Sequence, residues 1–184
     1  MTININEKNG DGTLDLKQYI SKLIDILRRE IRSFNTIVEL LILEGKGLVE
    51  CDNELLINVL EKQEDIFSSL ACLEKSRTDI IMKIAEEMGE DPNTLTISKL
   101  AEIIDEPLKR ELVETAHVLL QINEDLKQKK TTNNMLIKQG IMIMESNIRY
   151  ILKAFGREDM LRNIYSSNAD AGHISGSVCI DGRM

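Results

Sequence analysis

Several things are scarce in this chain, and each absence narrows the field. Tryptophan is missing, and there are only three tyrosines and three phenylalanines among 184 residues. Proline occurs twice. Sandwiches and barrels need frequent turns and strands rich in aromatic and β-branched residues, so this composition argues for long helices. Cysteine occurs three times, at Cys51, Cys72 and Cys179, an odd and unclustered set that makes no disulfide framework and points to a reducing compartment. The longest apolar stretches are broken by Glu39, Glu44 or Glu145, so none reaches membrane-spanning length. The opening Met1 to Asn6 lacks the basic start and apolar core of a signal peptide. Acidic residues outnumber basic ones by 31 to 23, a net charge of −8, which argues against a nucleic-acid partner because phosphate binding needs clustered Lys and Arg. Together these exclusions leave an acidic, helical, cytoplasmic protein that does not insert into a membrane.

Catalytic chemistry is missing too. The two histidines, His117 and His173, are far apart, and only His117 has Glu three residues before it, whereas helical di-metal sites require two such pairs. His117, between Ala116 and Val118, reads as a half-buried helix residue. No Cys-Xaa-Xaa-Cys, His-Glu-Xaa-Xaa-His, nucleophile elbow or phosphate loop is present. The stretch from Glu7 to Gln18 imitates a calcium loop, with Gly12 at the sharp turn. Its twelfth position is Gln18, however, which lacks the bidentate carboxylate such a loop needs. Cys72 fits a small core residue between Ala71 and Leu73. No enzyme, cofactor or metal is expected.

What the chain does have is helical period and clear punctuation. Residues 1–13 form a polar leader ending in Asn9-Gly10-Asp11-Gly12. A first helix is expected from about Leu14 to Leu43, stopped by Gly45 and Gly47. Asp52 or Asn53 caps a second helix that runs to Met88. Thr94 or Thr96 opens a short one through Ile104, and Asp105 with Pro107 opens a last one to about Phe155. In the second helix Leu56, Val59, Gln63, Ile66, Leu70, Leu73, Arg77, Ile80 and Ile84 alternate spacings of three and four, a heptad seam with Gln63 and Arg77 as polar interruptions. The first helix carries Leu16, Ile20, Leu23, Leu27, Ile31, Phe34, Val38 and Leu41, widened by Ile24, Ile37 and Leu40, a stripe suited to touching two neighbours. Short connections make such helices antiparallel. The expected fold is all-α: an elongated antiparallel bundle of three long helices and one short helix over residues 14–156. A flexible tail over 157–184 is expected from its Ser, Asn and Gly content.

At about 1.5 Å per residue, these helices would be roughly 45, 55 and 75 Å long, so the last would overhang its partners after Asn134. This overhang carries Ile143 and Tyr150 and the expected client-binding residues Met135, Leu136, Ile141, Met142, Met144, Ile148, Ile151, Leu152 and Phe155. Spacings of three and four align Ile141, Met144, Ile148, Ile151 and Phe155 along one side, with Leu152 beside them. A partner helix lying in a groove requires that alignment, and Met142 and Met144 can repack for unequal partners.

The order of elements resembles the FlgN-type flagellar export chaperones. The resemblance lies in two long helices, then Thr94 to Glu102, then Glu106-Pro107-Leu108 opening a long helix. It continues through Asn134 to Met144, through Ile164-Tyr165-Ser166-Ser167-Asn168, and through a Ser/Gly spacer into Cys179-Ile180-Asp181-Gly182-Arg183-Met184. Gly182 interrupts the apolar-Asp-basic ending of that family. The resemblance implies a cytoplasmic chaperone that holds hook-associated proteins by their C-terminal helical segments and delivers them to the flagellar type III export gate. It implies that the C-terminal part grips the client and that Tyr165 takes part in docking to the gate. A non-secretory coiled-coil adaptor is the alternative the helices alone allow.

Overall fold

A computed structural model of the protein describes residues 12–157. Most of the leader and the segment from residue 158 onward, which includes Tyr165, His173 and Cys179, lie outside the described residues. Within them the chain forms helices α1 (Gly12–Glu50), α2 (Asn53–Met88), α3 (Ile97–Ile103) and α4 (Leu108–Ala154), with a 3-10 turn at Pro92–Thr94 and no strand. The protein is an all-α helical bundle. Its chain divides into two compact units, one up to Thr131 and one from Thr132.

The first unit is built on α1 and α2, which pack antiparallel. Both polar interruptions of the α2 seam meet a glutamate of α1. The Arg77 Nε donates to the Glu30 Oε1 at 3.0 Å, and the Gln63 Nε2 donates to the Glu44 Oε2 at 3.3 Å. The second pair lies fourteen residues further along α1 and fourteen back along α2, two heptads in a constant register. Glu30 is buried. Its desolvation raises the carboxyl pKa above the ordinary value; the charge and hydrogen bond of Arg77 pull it back, and the nearby Glu74 charge adds to the rise. The core gathers Ile20, Leu23, Ile24 and Leu27 of α1, Ile84 of α2, Leu100 of α3 with Ile104 just past it, and Leu112 and Leu119 of α4. Ion pairs Lys17–Asp105 and Arg28–Glu111 set the first half of α4 beside α1 and running in the same direction.

Three helices end in one way. At Gly89 (φ 67°) the N–H donates to Glu86 O and the next N–H, of Glu90, donates to Ala85 O. Gly156 (φ 63°) and Arg157 repeat this onto Lys153 O and Leu152 O. At the end of α1 the left-handed position is Cys51, with φ 56°, and the Asp52 N–H reaches Gly47 O at 2.9 Å. Gly45 and Gly47 therefore do not stop α1, contrary to the sequence expectation. Gly47 is buried, and a Cβ there would sit 3.0 Å from the Leu56 side chain, so its role is to let the start of α2 approach. Asp52 caps α2, its side chain accepting the Leu55 N–H at 3.0 Å. Thr96 caps α3, accepting from the Lys99 N–H.

Other expectations are corrected as well. Cys72 is exposed, because α2 buries only a narrow seam and residue 72 is one helical step outside Leu73. His117 is exposed for the same reason, lying off the Leu112–Thr115–Leu119 line of α4. Gly12 through Gln18 belong to α1, so the second half of the calcium-like stretch is helix and not loop. The continuation of α1 to Glu50 makes it about 58 Å long, longer than the sequence expectation of roughly 45 Å.

Candidate functional site

Asn134 to Ala154 form the second half of α4 and, with Phe155, Gly156 and Arg157, nearly all of the described part of the second unit. They hold helical geometry to the Gly156 turn, and Lys153 sits in the last turn where it offsets the helix dipole. The apolar residues here are not core. Ile141, Met144, Ile148, Ile151 and Phe155 expose between 46% and 75% of their surface. Met135 and Met142 are also exposed, while Leu136 and Leu152 are half-buried. Eight of the nine residues expected from the sequence therefore lie on α4, Phe155 follows directly after its end, and seven of the nine are open.

Ile137 is exposed too and continues the same face, so that Ile137, Ile141, Met144, Ile148, Ile151 and Phe155 follow spacings of four, three, four, three and four. That is a strict heptad seam, the geometry a second helix needs for its side chains to fit between these. Ile143 and Tyr150, both exposed, extend the apolar surface to one side. A seven-residue interval links Leu136, Ile143 and Tyr150. The first unit also exposes apolar side chains, at Ile57, Leu60 and Phe67 of α2. Glu64 occupies the helical position between Leu60 and Phe67, so these make no continuous stripe.

This surface is mainly apolar. Its polar side chains are Lys138, Gln139, Glu145, Ser146, Asn147, Arg149 and Lys153, without a histidine or cysteine among them. Among the described residues no cluster of His, Cys, Asp or Glu is arranged to hold a metal ion. Likewise, no helix among them is long and apolar enough to cross a membrane. The class of protein is thus an all-α helical bundle with an apolar heptad seam exposed on one long helix. The particular family follows from comparison: the family model described as FlgN protein matches residues 19–172, most of the chain, and the chain belongs to that family of flagellar export chaperones. No curated protein and no solved structure is significantly similar to it.

Proposed function

We propose that this chaperone binds hook-associated flagellar proteins in the cytoplasm, keeps them competent for export and delivers them to the export gate. The grip is the second half of α4: Met135, Leu136, Ile141, Met142, Met144, Ile148, Ile151, Leu152 and Phe155 receive an apolar face of the client's C-terminal helical segment. One observation carries this reading, the open heptad seam from Ile137 to Phe155 in a member of a flagellar chaperone family. Contiguous apolar surface of this kind is rare on a protein without a partner, and each aliphatic side chain it buries contributes about 1.5–3 kcal/mol before ordering costs. Tyr165, beyond the described residues, is the proposed contact with the gate.

The test is a double substitution, Ile148→Asp with Ile151→Asp, in the full chain. Capture of a purified hook-associated protein should be lost while the melting temperature of the free chaperone stays within a few degrees of the parent. Undiminished capture would remove these residues from the grip. Lost capture with a collapsed melting temperature would make them part of the folded core. For the gate, Tyr165→Ala should leave client capture intact and lower export of the client from cells; unchanged export would dismiss Tyr165.

A further inference from the structure

Gly140 has no explanation inside the fold. Glycine in the interior of a helix is destabilising relative to alanine, because it gives up more chain entropy on folding. Other glycines of this chain have a use that offsets this. Gly89 and Gly156 take the left-handed φ at the ends of α2 and α4, and a Cβ at Gly47 would press on Leu56. Gly140 is exposed, lies inside α4 without a left-handed φ, and a Cβ there would meet nothing within 4 Å. For the free chain alone, alanine would serve better. What Gly140 does adjoin is the open seam. Ile137, Gly140, Ile141 and Met144 stand at i, i+3, i+4 and i+7, the four corners of a hole that receives one side chain of a facing helix. The three apolar corners are all exposed. The next hole along, framed by Met144, Ile148 and Ile151, has Asn147 at the corresponding corner. The hole at Gly140 is therefore the deeper of the two, open to the helix backbone at one corner.

We propose that Gly140 is a notch for one large apolar side chain of the bound client helix, a leucine or an aromatic, and that this fit sets where along α4 the client rests. The inference rests on the reading that this face holds the client, and adds the residue that selects its register. A heptad seam alone does not select one, because sliding the bound helix by seven residues exchanges one set of apolar contacts for a similar set. A glycine corner breaks that equivalence. The large side chain fits at Gly140 and is crowded by Asn147 one heptad further on, so the shifted arrangement is disfavoured by a clash. The helix stability given up at Gly140 in the free chaperone is in this way recovered as specificity in the complex.

The test uses the full chain carrying Gly140→Ala or Gly140→Leu, and the purified hook-associated protein as probe. Both substitutions favour the helix, so amide exchange around residue 140 should slow, by roughly fivefold for alanine, and weaker binding cannot then be ascribed to lost structure. Affinity for the probe should fall in order of size, slightly for Gly140→Ala and roughly tenfold or more for Gly140→Leu. Large apolar residues in the probe's C-terminal helical segment are then cut to alanine one at a time. One of these cuts should weaken binding to the parent and restore binding to the Gly140→Leu chain. Unchanged affinity in Gly140→Leu, with capture still lost in Ile148→Asp with Ile151→Asp, would overturn the notch and leave the site standing. Equal losses from alanine and leucine, with no cut that restores binding, would also overturn it, since glycine would then act through the flexibility of α4. Capture that survives Ile148→Asp with Ile151→Asp would overturn the reading of the site itself. Self-association of the free chaperone on sedimentation, abolished by Gly140→Leu while capture of the probe is unchanged, would assign the notch to a second copy instead.

Discussion

At the residue scale the most consequential side chain of the first unit is Glu30. Its carboxylate is 4% exposed and is met by Arg77 across the seam. Because burial raises its pKa in the folded state, the folded chain binds this proton more readily than the unfolded chain does. Its contribution to stability is therefore fullest below the ordinary carboxylate pKa and is lost as pH rises through the raised folded value. Glu30→Gln removes that loss, so the stability of the variant relative to the parent should improve between about pH 4 and pH 7 in urea unfolding. A relative stability that stays level or worsens with pH would contradict the assignment. Arg77→Met leaves the buried carboxylate uncompensated and should destabilise by about 3 kcal/mol, whereas Glu30→Leu with Arg77→Leu should come within about 1 kcal/mol of the parent. Cys51 offers the opposite case, a residue whose backbone is at odds with its side chain. Its φ of 56° is where glycine sits at the ends of α2 and α4, so Cys51→Gly should raise stability by about 0.5–1 kcal/mol in the same assay.

At the scale of the element, the turn between α1 and α2 depends on a missing side chain. A glycine inside a helix costs about 1 kcal/mol relative to alanine, yet a Cβ at Gly47 would press on Leu56 at 3.0 Å. In the parent, Gly47→Ala should gain little or lose. In a Leu56→Ala background, where the space is free, the same change should gain about 1 kcal/mol, and a double-mutant cycle should show coupling above roughly 0.5 kcal/mol. Additivity would mean that Gly47 has no packing role. This turn also shows why the end of α1 differs from the sequence expectation while the ends at Gly89 and Gly156 agree with it. Asp52, Thr96, Gly89 and Gly156 are residues whose own chemistry caps or ends a helix, and each does so here. Gly45 and Gly47 carry the same local signal, but the signal cannot distinguish a glycine that ends a helix from one that lets a neighbouring helix approach. That difference is made by Leu56, nine residues further on, and by a left-handed position occupied by cysteine.

For the molecule as a whole, the two units divide apolar side chains into those that stabilise and those that stay available. Leu112, fully buried among Ile20, Ile84 and Leu100, belongs to the first kind. Leu112→Ala should cost about 3 kcal/mol and lower the melting temperature by several degrees, since a cavity there cannot be filled by water-facing neighbours. Ile148→Ala, in a side chain nearly half exposed, should change the melting temperature hardly at all. Equal losses from the two variants would refute the division. Both residues lie on α4, both sit in runs spaced by three and four, and nothing local to either separates them.

The all-α class, the antiparallel pairing of α1 with α2 and the seam of α2 were readable from the chain because period and spacing are local quantities, set by 3.6 residues per turn. Which residues make the seam on α4 was readable for the same reason. The partners of the polar interruptions were not. Arg77 and Gln63 announce themselves in the heptads, but only the register between the helices puts Glu30 and Glu44 opposite them. Exposure was likewise beyond sequence alone. A run of apolar side chains on a helix has the same pattern whether another helix covers it or solvent does, and Cys72 and His117 turned outward although their neighbours are apolar. Sequence sets which face of a helix is apolar. Only tertiary structure decides whether that face is satisfied, because burial depends on atoms remote in the chain.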